Sequence, residues 1–160
     1  MRSESDVNET IREYADMVKR LCLSHLKNYA DMEDMFQNIF LKYMTYDGTF
    51  ASDSHKKAWL IRVCVNACYD YHRTHFWKKS VPLDTFLNME YRLDEESREV
   101  FKEVMALPEK YKDVIYLHYY EGYSAAEIGQ ILGKKENTIY SLLSRGRSLL
   151  KKSLGGGAIE

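Results

Sequence analysis

Cys64, Cys68 and His72 recur at intervals of four residues, with His75 just beyond. On a helix such a series shares one face. Two thiols and an imidazole are the donors that hold a soft metal ion. Cys22-x-x-His25 is a second, shorter set of the same kind. Against this, three cysteines are an odd number for a disulfide framework, and a free cysteine packs as a small buried hydrophobe. The expectation is therefore no metal and no cofactor. No glycine-rich phosphate loop and no nucleophile–base pairing is visible, so catalysis by this chain is not expected.

The other chemistry that residue types suggest is recognition of phosphates and bases. The 160 residues carry a net charge of −1, which by itself says nothing of nucleic acid. The distribution does. Residues 1–53 sum to −4, 54–79 to +5, 80–133 to −6 and 134–154 to +5. Two basic islands in an acidic chain are the footprint of local phosphate contact, although a charge run also simply solvates a helix face.

The second island belongs to the stretch Ser124–Arg147. Ser124-Ala-Ala-Glu127 has the form of a capping box. About eight helical residues should follow, with Ile128, Ile131 and Leu132 inward. Gly133 supplies the freedom a tight turn needs. A second helix over 136–151 places Ile139, Leu142, Leu143, Leu149 and Leu150 on its apolar side. This is a helix-turn-helix, and its second helix suits a DNA major groove, where Asn137, Thr138, Tyr140, Ser141 and Arg145 are polar enough to meet base edges and phosphates. The pattern alone leaves a protein-binding helical hairpin open.

The elements that would position these groups are all helical. Apolar residues recur at helical spacing in 8–28, 31–46 and 55–77, with a loop at 47–54 that contains Gly48. Periodicity lapses over 78–94, around Val81-Pro82, and a linker is expected there. It returns in 95–106 and in a helix started by Pro108 and stopped by Gly122. No strand alternation of useful length appears. The expected fold is all-α, with two small helical domains at 1–77 and 95–154, a linker at 78–94 and a flexible tail at 155–160. No apolar run approaches the roughly 20 residues of a membrane helix. The polar N-terminal residues do not read as a signal peptide, so a cytoplasmic location without membrane insertion is expected.

Residues 107–150 closely resemble domain 4 of bacterial RNA polymerase sigma factors of the extracytoplasmic-function group. Residues 31–73 resemble domain 2 of the same group. There DMEDMFQNIFLKYM matches D-x-E-D-x-x-Q-x-x-F, and WLIRVCVNACYDYHR matches W-L-x-R-I-x-x-N-x-x-x-D-x-x-R. The resemblance implies a promoter-specificity subunit with three tasks. Asp34, Gln37, Asn38 and Leu41 match the surface that docks on the clamp helices of the polymerase's largest subunit, while Met35, Phe36, Ile39 and Tyr43 read as core. Phe50 and Asn66 match the loop aromatic and helix amide that capture an unpaired base of the −10 element. Lys56, Lys57, Arg62 and Arg73, with Lys78 and Lys79, would track the single strand, and Phe76 and Trp77 are open to either role. Lys134, Lys135, Asn137, Thr138, Tyr140, Ser141 and Arg145 match the reader of the −35 element. Implied partners are core polymerase, including the flap of its second-largest subunit, promoter DNA in duplex and single-stranded form, and an anti-sigma factor.

Several positions depart from the family pattern. Asn38 stands where Glu is common, Tyr140 where a basic residue is usual, Leu142 where Arg is usual, and Lys135 where Ser commonly caps the helix. Cys64 and Cys68 fall where the family places small residues. Two other readings remain: a helix-turn-helix regulator that recruits no polymerase, and a sigma-like decoy that only binds an anti-sigma protein.

Overall fold

The computed structural model describes residues 1–26, 28–74 and 95–155. The expected linker at 78–94, His75, Phe76, Trp77, Lys78, Lys79 and the tail beyond residue 155 lie outside the described residues. Among the described residues there are seven helices and no strand. They are α1 Glu4–Leu26, α2 Tyr29–Thr45, α3 Asp53–Thr74, α4 Glu95–Met105, α5 Glu109–Tyr119, α6 Ala125–Leu132 and α7 Glu136–Ser153. The chain divides into two compact units, Met1–Glu90 and Tyr91–Glu160.

Among the described residues, the first unit bundles three helices, with α1 packed on both α2 and α3. Each helix opens on a polar side chain that satisfies an otherwise orphan backbone donor. Ser3 Oγ accepts the Asp6 N–H at 3.1 Å, Asn28 Oδ1 accepts the Asp31 N–H at 3.1 Å, and Ser52 Oγ accepts the His55 N–H at 3.2 Å. These caps set the helix starts ahead of the apolar periodicity: Glu4 rather than 8, Tyr29 rather than 31, Asp53 rather than 55. Val18, Leu21 and Cys22 from α1 meet Ile39, Phe40 and Tyr43 from α2 and Leu60, Ile61, Cys64 and Cys68 from α3 in the core, all buried. Each large aliphatic side chain so buried contributes about 1.5–3 kcal/mol. Across α2 and α3, the Tyr71 hydroxyl donates to Asp31 Oδ2 at 2.6 Å. Burial and that carboxylate push the phenol up to about 12.

In the second unit α7 is the common partner of α4, α5 and α6. Its inner face is Ile139, Leu143, Gly146 and Leu150. Gly146 lets α5 come close: a Cβ there would stand 3.0 Å from Ile115 Cγ1. Pro108 occupies the N-cap of α5 rather than its first turn. Gly122 follows that helix at φ 79°, in the left-handed region that favours glycine.

Candidate nucleic-acid interface

The loop between α2 and α3 carries Phe50 on an aromatic bed. Its ring lies 5.7 Å from Trp59, 5.6 Å from Tyr46 and 5.3 Å from His55 between centroids. The Ala51 N–H donates to His55 Nδ1 at 3.0 Å and ties the loop to the first turn of α3. On the other side the loop is braced by Arg2. Its guanidinium donates to Gly48 O at 2.6 Å and to Tyr43 O at 3.1 Å, and it sits 5.0 Å from the Phe50 ring centroid. Arg2, Asp6, Thr49, Phe50, Ser52, Asp53 and Lys56 line an open pocket of about 450 Å³. Nothing in the spacing of Arg2 points to this role, because its partners lie more than 40 residues away; only an acid four residues on hints at an ordered side chain.

Beneath this pocket lies a polar network. The Tyr43 hydroxyl donates to Asp6 Oδ1 at 2.7 Å, and the Thr10 hydroxyl lies 3.1 Å from the Tyr43 oxygen. Lys56 Nζ donates to Thr10 Oγ1 at 3.3 Å and stands 3.6 Å from the Asp6 carboxylate. The Tyr43 hydrogen bond, followed by Arg2 and Lys56, holds the Asp6 carboxyl below its ordinary value. Lys56, expected on the DNA strand, is thus half-buried and engaged within the protein. Lys57 is also half-buried.

Along α3 the exposed side chains continue from the loop. His55, Arg62, Asn66 and Arg73 are exposed and fall at steps of seven, four and seven residues, which is one helix face. Asn66 lies two turns beyond Trp59, about 10 Å along the axis. Arg73 is paired with Asp70, one turn back. On α2, Asp34, Gln37, Asn38 and Leu41 form a second exposed face. Leu41 is the informative member: an apolar side chain 53% exposed beside three polar ones. Its neighbour Phe40 is buried and belongs to the core.

In the second unit the capping box forms as expected. The Glu127 N–H donates to Ser124 Oγ at 3.2 Å, and the Ser124 N–H donates to Glu127 Oε1 at 2.9 Å. That returning backbone hydrogen bond, with the Ser124 side chain, keeps the Glu127 carboxyl below its ordinary value. Gly133 takes φ 70° at the end of α6, and the Lys134 N–H closes the turn onto Gly129 O at 2.8 Å. The α7 N-cap is Lys135, which makes no side-chain capping bond. Lys134, Lys135, Asn137, Thr138, Tyr140, Ser141 and Arg145 are all exposed, on the side opposite the buried Ile139 and Leu143. Tyr140 is 55% exposed. Arg145 reaches the Tyr111 phenol and lowers its pKa, mainly through a hydrogen bond. Arg147 is less available, half-buried, and it donates to the Tyr119 hydroxyl at 3.3 Å.

Residues 10–78 match the family profile for sigma-70 region 2, and residues 97–150 match that for sigma-70 region 4. The chain is similar to the extracytoplasmic-function RNA polymerase sigma factor SigW of Bacillus subtilis, at 27% identity over 88% of this chain and 84% of that protein. It is similar to SigM of the same organism at 29% identity, over 91% of this chain and 93% of that one. The fold resembles the sigma factor RpoE of Bartonella quintana, solved with the anti-sigma factor NepR, at TM-score 0.65 and 18% identity, covering 94% of this chain and 97% of that one. It also resembles CnrH, solved with the cytosolic domain of CnrY, at TM-score 0.67 and 19% identity, over 96% of this chain and 90% of that one. With a region 2 in the unit that holds the Phe50 pocket and a region 4 in the unit that holds the helix-turn-helix, the chain belongs to the sigma-70 family, in its extracytoplasmic-function group, as a sigma subunit for transcription initiation.

Proposed function

We propose that this sigma subunit reads both promoter elements and holds the melted strand, docking to core RNA polymerase through α2. The observation that carries the proposal is the division of α7. One side is sealed by Ile139, Leu143, Gly146 and Leu150, and the other offers Asn137, Thr138, Tyr140, Ser141 and Arg145 to solvent. Such a helix enters the major groove of the −35 element with its N-terminal half toward the base edges. Tyr140 brings an aromatic ring and a hydroxyl where the family pattern has a cation, so fewer phosphates are neutralised.

For the −10 element, the Phe50 bed stacks an extruded base, whose flipping costs a few kcal/mol and is offset by stacking and edge contacts. A strand running along α3 then meets Arg62 and the Asn66 amide, which has both a donor and an acceptor for a base edge. Asp34, Gln37, Asn38 and Leu41 dock on the clamp helices of the largest polymerase subunit, and the second unit meets the flap of the second-largest. The polymerase supplies the chemistry and this chain supplies address and melting, in the cytoplasm. An anti-sigma factor is a further partner, as NepR is for the RpoE of similar fold.

Run-off transcription with purified core enzyme and a promoter library tests the proposal. The chain is expected to direct promoter-specific transcripts. The double substitution Asp34→Ala, Gln37→Ala is expected to abolish polymerase binding and leave affinity for isolated −35 duplex nearly unchanged. Transcripts absent with the unaltered chain would indicate a decoy. Polymerase binding retained by the double variant would remove α2 as the docking face.

A further inference from the structure

The cysteines are placed differently from the set that sequence spacing suggests. His72, the third member by spacing, lies with Nε2 2.6 Å from His25 O. In its stead Cys22 comes across from α1. Its Sγ lies 3.6 Å from Cys64 Sγ, and the three sulfurs of Cys22, Cys64 and Cys68 all fall within 4.8 Å of one another. All three are free thiols with no solvent exposure. Val18, Leu21, Leu60, Ile61 and Val65, within four residues of these cysteines on α1 and α3, are buried, and so is His25 on α1.

We propose that Cys22, Cys64 and Cys68 form a three-sulfur binding site for a thiophilic monovalent ion, copper(I), clamping α1 to α3. Three thiolates around one ion at a metal–sulfur distance of about 2.3 Å stand about 4.0 Å apart when the arrangement is trigonal. The sulfurs here already bracket that spacing, from 3.6 Å to at most 4.8 Å. Side-chain shifts well under an ångström complete the site. The donor set is sulfur alone, which selects soft ions over carboxylate- or imidazole-preferring ones. Zinc would want a fourth ligand, and among the described residues no other histidine, cysteine or carboxylate donor lies within 4.8 Å of all three sulfurs. Binding is a ligand exchange without electron transfer: the ion arrives as copper(I), metal–sulfur bonds form, and each S–H proton displaced passes to solvent.

The consequence bears on function, because Cys64 and Cys68 flank Asn66 on the opposite side of α3. An ion shared with Cys22 braces the helix whose outer face carries Arg62 and Asn66. The site stands on thiol geometry alone and is independent of the promoter reading.

The test is anaerobic titration of the reduced full chain with copper(I), in competition with a chromogenic copper(I) chelator, with stoichiometry read by native mass spectrometry. One ion per chain is expected, with loss of at least tenfold in affinity in Cys22→Ala and in Cys64→Ala. Each variant's thermal midpoint without metal reports whether it folds. Should a variant not fold, the unaltered chain decides: in mild denaturant the bound ion is expected to protect all three cysteines from alkylation. Absence of a stoichiometric complex, full affinity in folded Cys22→Ala, alkylation undiminished by the ion, or zinc(II) bound as tightly as copper(I) would each overturn the proposal.

Discussion

Asp6 gathers the Tyr43 hydroxyl, Arg2 and Lys56 beside the Phe50 loop, and this makes it a pH-sensitive residue. Its folded pKa lies below the ordinary 3.8, first through the Tyr43 hydroxyl and then through Arg2 and Lys56. A carboxyl depressed on folding stabilises fully above its unfolded value, and that contribution fades as pH falls from there through the folded value. Asp6→Asn is therefore expected to melt below the unaltered chain at pH 7. The difference should narrow as pH drops beneath about 4, which a series of thermal melts would measure. Pairings of this kind are hard to read from a sequence, because their partners are distant along it. Ser124 and Glu127 sit three apart and cap the same turn, so their pairing is legible directly. Lys56 reads as a strand-tracking cation because its sequence neighbours are basic, whereas the carboxylate beside it, Asp6, is on another helix. Arg2 is not legible at all, since the Phe50 loop it braces comes into reach only after α1 and α2 pack.

Helix type and order followed from periodicity, whereas helix starts did not, because the cap precedes the first apolar residue. Ser3, Asn28 and Ser52 each open a helix earlier than its hydrophobic stripe. The opposite lesson comes from Lys135, read as lacking a cap and found without one. Its backbone is already extended, at φ −69° and ψ 147°, as an N-cap requires. Lys135→Ser is expected to stabilise the second unit by about 1 kcal/mol, visible as a higher urea midpoint at unchanged slope. Gly129 runs against general helix preference. Within a helix, Gly→Ala normally stabilises by about 0.8–1.0 kcal/mol. At Gly129 an added Cβ would stand 2.7 Å from the backbone oxygen of Lys134, in the turn that aims α7. Backbone there is held by the Lys134 N–H bond to Gly129 O and yields little. Gly129→Ala is expected to destabilise by roughly 1–3 kcal/mol, and the same urea titration gives the sign directly.

Across the whole molecule, two basic islands in a chain of net charge −1 were evident from the sequence, but their availability to DNA was not. Folding sorts the cations. Arg62, Lys134, Lys135 and Arg145 are exposed, Lys56 is held by Asp6 and Thr10, and Arg147 is half-buried beside Tyr119. Salt dependence distinguishes the two groups, because only cations that neutralise phosphates release counterions. Each duplex contact adds about 0.9 to the slope of log affinity against log salt, and each single-strand contact about 0.7. On the proposed function, Lys134→Gln or Arg145→Gln should flatten the slope for −35 duplex by about 0.9 each. Arg62→Gln should flatten that for non-template single strand by about 0.7. Lys56→Gln should leave the single-strand slope unchanged and instead lower the melting temperature, since Asp6 loses a counter-charge 3.6 Å away. Fluorescence anisotropy between 50 and 200 mM salt spans a range in which such differences are measurable. If Lys56→Gln flattened the single-strand slope as much as Arg62→Gln, Lys56 would have left Asp6 to face the strand, and the charge available to DNA would be that of the sequence rather than that of the fold.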